Sequence, residues 1–102
     1  MAMLHTVNKS PFERVSLDSC ISMAKKGSSV LLIEDGVYGA LKGTTASDKV
    51  SKAMDGITFY VLGPDLAARG MTEDRIISGI KVVDYAGFVD LTTKHENVQA
   101  WL

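Results

Sequence analysis

The sequence predicts a three-layer α/β domain with a mainly parallel sheet of four to five strands and helices on both faces. Three observations carry this. Short apolar runs alternate with helical segments along the whole chain. The run Val30–Ile33 is continuously apolar, as in a strand buried on both faces of a parallel sheet. Glycine and proline separate the segments at the spacing of βαβ units, and the right-handed crossover rule restricts how such units connect.

Met3 to Val7 reads as the first strand. Ser10-Pro11-Phe12-Glu13 reads as a helix start, with Ser10 as cap, Pro11 at the first helical position and Glu13 completing a capping box. That helix is expected to run to about Lys26 and stop at Gly27. Ser29 to Ile33 is the second strand, and Glu34-Asp35-Gly36 turns the chain, with Gly36 taking an unusual backbone angle and Asp35 capping the next helix. A short helix over Val37–Leu41 and another over Thr45–Met54 follow. Ile57 to Leu62, rich in β-branched and aromatic residues, is the third strand, ended by Gly63-Pro64. Asp65 caps a helical turn to Arg69, and Thr72–Arg75 forms another. Ile80 to Val83 is a fourth short strand, Asp84 opens a last helix to about His95, and Val98–Leu102 is an edge strand or a docked tail.

Composition narrows the function. The chain of 102 residues is read as one domain, 1–102, and its 46% hydrophobic content is high for that size, which suggests a subunit interface. Eleven basic and twelve acidic residues leave a net charge of −1, and Lys25-Lys26 is the only adjacent basic pair. Direct nucleic-acid binding, which needs clustered Lys and Arg, is not expected. No apolar run reaches the roughly 18 residues of a membrane span, and no signal-peptide h-region stands at the N-terminus, so a cytoplasmic protein is expected. A single cysteine, Cys20, permits no internal disulfide. No glycine-rich phosphate motif and no nucleophile elbow is present, and His5, Cys20 and His95 have no metal-ligand spacing, so no cofactor or metal is expected.

Cys20 is the one candidate nucleophile. On a helical wheel Leu17, Ile21 and Ala24 form one apolar stripe, Phe12, Val15 and Met23 a second, and Cys20 falls at their seam. A helix apolar on two arcs is covered on two sides, by the sheet and by a partner subunit. With a helix start at Pro11, Cys20 lies roughly 15 Å from the N-terminal dipole. No His or Arg stands one turn away, so local sequence favours packing over chemistry. Trp101 at the C-terminal end, with Tyr85, Phe88 and Leu91, adds side chains of the kind that anchor interfaces.

Met3-Leu4-His5-Thr6, Ser10-Pro11, Leu31-Leu32-Ile33-Glu34-Asp35-Gly36-Val37, Asp65-Leu66 with Ala68-Arg69-Gly70, and Asp84-Tyr85 with Phe88-Val89, Leu91-Thr92 and His95 fall in an order that resembles the DsrH/TusB family. The resemblance spans nearly the whole chain. It implies a DsrE-like fold and a small subunit of a sulfur-relay complex that passes sulfur as a cysteine persulfide. The implied partners are DsrE/TusD-type and DsrF/TusC-type chains in a heterohexamer, and a DsrC/TusE-type sulfur acceptor. The principal persulfide cysteine of such complexes belongs to the DsrE/TusD-type chain. Cys20 matches a cysteine that DsrH-type chains carry in the first helix and TusB-type chains can lack, and Arg14, Tyr38 and the stretch Tyr60–Asp65 also look closer to DsrH. The resemblance therefore implies a subunit for sulfur oxidation, with tRNA 2-thiouridine synthesis or a purely structural part as the alternatives. It puts a role for Cys20 as secondary persulfide carrier level with simple packing.

Overall fold

A computed structural model describes residues 3–95 and 97–101. Five strands, β1 (Met3–Val7), β2 (Ser29–Leu32), β3 (Thr58–Leu62), β4 (Lys81–Val83) and β5 (Asn97–Trp101), form one sheet in the order β4-β3-β2-β1-β5. Every neighbouring pair is parallel. The helices are α1 (Ser16–Met23), α2 (Ser47–Ala53), α3 (Gly63–Ala68) and α4 (Tyr85–Lys94), with 3-10 segments at Glu34–Ala40 and Glu73–Arg75. None of the described helices is long and apolar enough to cross a membrane.

Period-two alternation sends each central strand's side chains to two separate cores. Val7, Val30, Leu32, Phe59 and Val61 pack with Leu17, Cys20, Val50 and Leu66 in the larger one. Leu4 and Leu31 pack on the other face with Leu91, and Ile33, Tyr60, Val83 and Phe88 border them. Both helix layers are thus present, with α4 supplying the second. Asp84 caps α4 as expected, its side chain accepting a hydrogen bond from the Gly87 N–H at 2.8 Å.

The first helix is much shorter than its capping signals suggest. Ser10 O accepts from the N–H groups of Glu13 and Arg14, at 3.1 and 3.0 Å, and Ser10 Oγ accepts from Phe12 N–H at 3.2 Å. One turn forms and stops. Phe12, Glu13, Arg14 and Val15 are all exposed, so extending that turn would bury nothing to offset its ordering. The helix begins only at Ser16, where Leu17 first meets the sheet. It ends at Met23 because Ala24 is already extended, and Lys25–Gly27 turn the chain with Gly27 at φ 89°.

The turn after β2 also departs from expectation. The positive φ belongs to Glu34, at 50°, and not to Gly36. Gly36 is needed for close approach, since a Cβ there would overlap the carbonyl of Val7. Asp35 caps nothing and instead receives Arg69 Nη2 at 2.8 Å and Nε at 3.1 Å. Asp65 likewise reaches across, its Oδ2 accepting from Glu34 N–H at 2.6 Å. Gly63-Pro64 ends β3 but also starts α3, with proline in the first turn. The hydrogen bond to Asp35 is the largest of the effects that raise the Arg69 pKa.

The last segment is a parallel edge strand rather than a docked tail, although Leu102 lies outside the described residues. It is fastened from the side: Trp101 Nε1–H donates to His5 Nδ1 at 3.0 Å, with ring centroids 6.1 Å apart. An indole nitrogen only donates, so His5 Nδ1 must be unprotonated, and the neutral Nε2–H tautomer is selected.

Gly36→Ala is expected to destabilise the fold by about 3 kcal/mol, because backbone and not a flexible side chain must move. Urea denaturation measures this, and a midpoint matching that of the parent chain would contradict the close-approach account. A second expectation concerns acid. Burial lowers the His5 pKa below its ordinary 6.5, so the unfolded chain takes up a proton there that the folded chain refuses. The resulting stability is present above about pH 6.5 and is lost as pH falls through that value. Urea midpoints between pH 7.5 and 5 should drop more steeply for the parent than for His5→Gln, and parallel lines for the two would refute the assignment.

Candidate functional site

Cys20 sits on the buried stripe of α1 with Leu17, and Ile21 and Ala24 border the same core. The spacing 17, 20, 21, 24 is one helical face. Cys20 is therefore a core residue and not a seam between two apolar arcs. It is 0% exposed, and burial pushes its thiol from an ordinary 9.0 up to about 12. It is also only five residues into the helix, so the roughly 15 Å expected from the N-terminal dipole shrinks to about 6 Å. Proximity to the dipole does not rescue the thiolate, because desolvation dominates.

The second apolar arc faces outward. Phe12 is 53% exposed, Val15 71% and Met23 68%. On the opposite layer Tyr85 and Val89, one turn apart on α4, are also exposed, whereas Leu91 is buried and Phe88 half-buried. The interface anchors read from the sequence thus divide into core residues and surface residues. Trp101 is half-buried against its own sheet.

The two histidines are separate and neither bonds Cys20. His95 Nδ1 lies 2.7 Å from Leu91 O and must donate to it, and in the neutral ring Nε2, 3.0 Å from Ser29 Oγ, accepts the serine proton. His95 thereby ties the end of α4 to β2. No group of three His, Cys, Asp or Glu side chains able to hold a metal exists among the described residues. Glu34 and Asp35 are exposed and engaged with α3, which agrees with their reading as a turn.

A cleft of about 400 Å³ opens between the end of α1 and the β1–β5 edge. Its sheet wall is made of two cross-strand pairs, Met3 with Asn97 and His5 with Gln99, together with Trp101. Met23 and Lys25, at and just after the end of α1, and Ser28, just before β2, complete the lining. Sequence reading named His5 and Trp101 separately and missed that they meet. The signal was available in the period-two sets 3, 5, 7 and 97, 99, 101, but only the strand register aligns them.

The profile of the family described as "DsrH like protein" matches residues 9–98. Protein TusB of Pectobacterium parmentieri is 39% identical over 100 residues, covering 97% of this chain and 100% of the relative. Protein TusB of Escherichia coli O1:K1 / APEC is 37% identical over 99 residues, with the same coverage. Among solved structures, the ychN protein from E. coli superposes with a TM-score of 0.83 at 13% identity, covering 99% of both chains. A protein of unknown function from Methanobacterium thermoautotrophicum gives 0.72 at 19% identity, covering 96% of both. These two likenesses concern the fold. The ordered motifs, the family match across most of the chain and the full-length relatives agree: the chain belongs to the DsrH/TusB family of sulfur-relay subunits.

Proposed function

We propose that this chain is the DsrH-type subunit of a DsrEFH-type sulfurtransferase complex in sulfur oxidation, working beside partners that supply the principal persulfide cysteine. The carrying observation is the state of Cys20, fully buried with its thiol at about 12. A sulfur carrier must present a thiolate to the donor's persulfide, and then the persulfide so formed to the acceptor's thiolate. This fold presents none among its described residues, since its single cysteine is packed. Direct relay therefore belongs to a DsrE-type partner. Cys20 serves as a secondary persulfide carrier only when a partner opens the contact between α1 and the sheet and brings positive charge to it. The exposed arc Phe12, Val15 and Met23 supports docking of such a chain on α1. The acceptor is a DsrC-type protein, the assembly a cytoplasmic heterohexamer, and no direct contact with nucleic acid is involved.

A second reading rests on a specific observation. The full-length relatives at 37–39% identity carry the name TusB, and a TusB-type subunit would serve tRNA 2-thiouridine synthesis. The presence of Cys20 in α1, with Arg14, Tyr38 and Tyr60–Asp65, favours the DsrH branch.

The shift from 9.0 to about 12 lowers the thiolate fraction of Cys20 about a thousandfold near neutral pH. Iodoacetamide labelling of the folded chain at pH 8 should be at least about 100-fold slower than in urea. Comparable rates in the two states would overturn the packed assignment. The functional test is co-expression. The chain should co-purify with DsrE- and DsrF-type chains, and the complex should pass sulfur from the DsrE-type cysteine to a DsrC-type acceptor. The Cys20→Ser complex should still assemble and keep most of that transfer, although a buried hydroxyl costs about 1–2 kcal/mol if unpaired. Complete loss of transfer in an intact Cys20→Ser complex would make this subunit a principal catalyst. Assembly with TusD- and TusC-type chains instead, with restored 2-thiouridine in tRNA, would establish the second reading.

A further inference from the structure

We propose that the cleft between α1 and the β1–β5 edge is a binding site for a small organic anion, with His5 and Lys25 holding the charged end and Trp101 and the methionines the apolar body. The inference does not depend on which complex the chain joins.

His5 is the central observation. It is only 3% exposed, and it lines the cleft. Its Nδ1 is occupied by the Trp101 indole, so the ring carries its proton on Nε2. No described residue accepts from that Nε2–H. Asn8 Oδ1 is the only fully buried side-chain polar atom without a partner among the described residues, so the Nε2–H edge of His5 is not sealed inside protein. A donor at this depth, fixed in one tautomer and open to the cleft, can donate to a molecule bound there.

The other lining groups specify the acceptor. Lys25 is the only ionised side chain among the described residues that line the cleft, and it is a cation. The Asn97 and Gln99 amides and the Ser28 hydroxyl can donate beside it. A carboxylate or sulfonate accepts from all of these. The imidazole need not be charged for this, and must not be, since a proton on Nδ1 would break the bond from Trp101. The rest of the wall, Met3, Met23 and the indole, is apolar and polarisable. A cleft of about 400 Å³ lies in the range of small-molecule sites and is far smaller than a protein interface.

Trp101 is the sole tryptophan, so its fluorescence reports the cleft directly. The full-length chain would be titrated with butanoate, butanesulfonate and, as the uncharged match, butan-1-ol. The expected result is a saturable change with both anions and at least about tenfold weaker binding of the alcohol. Lys25→Gln, at an exposed position that leaves the fold intact, should weaken anion binding about fivefold and flatten its salt dependence. In ¹⁵N spectra the His5 Nε2 resonance should move on anion binding while the Trp101 indole resonance keeps its hydrogen-bonded shift. Absence of saturation, equal binding of butan-1-ol, or an unchanged Lys25→Gln would each overturn the site. A free-acid tetrapeptide that binds more than tenfold tighter than butanoate would overturn the small-molecule assignment in favour of a chain terminus.

Discussion

The fold depends on what surrounds β1. This strand lies between β2 and β5, and Leu4, His5, Thr6 and Val7 are all buried. Its last carbonyl, Val7 O, accepts from Ile33 N–H at 3.0 Å and lies against Gly36. That contact leaves no room for a side chain at position 36. It fixes where the 3-10 segment can begin, and through it the reach of Asp35 and the Glu34 N–H to α3. A carboxyl-end turn that would otherwise be loose is held by one close backbone approach and two carboxylates.

The same strand explains how Cys20 is placed. Val7, Leu17 and Cys20 share a core, so α1 is pinned by its apolar stripe to the face that also carries His5. Asp18 pairs with Lys49 and links α1 to α2 on the outer side. The thiol has no freedom to present itself while those contacts hold.

Much of this was legible in the residues. Val30–Ile33 declared a buried parallel strand by continuous apolarity, Ile57–Leu62 a strand by its β-branched and aromatic residues, and Asp84 the start of the last helix by type and position. The failures have local causes. Ser10-Pro11-Glu13 carries the chemistry of a helix start, and that chemistry is satisfied equally by one isolated turn; only the exposure of residues 12–15 decides. Gly36 advertised conformational freedom but is selected for lack of volume, while Glu34 takes the left-handed conformation that glycine would favour. The placement of Cys20 followed from that helix start. Once α1 begins at Ser16, the stripe 17, 20, 21, 24 is plain. The pairing of His5 with Trp101 spans 96 positions of sequence, and no periodicity within either segment reveals it.

The β1–β5 ladder has a consequence for the order of folding. Met3 pairs with Asn97 and Val7 with Trp101, a separation of 94 residues in every rung (97 − 3 and 101 − 7). Contacts of such range form late, because loop closure must precede any reward from pairing. During synthesis β1 can pair with β2 and the sheet can grow toward β4 while the other side of β1 stays open. An unpaired apolar edge is a template for a neighbouring nascent chain. The strand that closes it is also the strand that builds the cleft wall, so sealing the sheet and completing the cleft are one event.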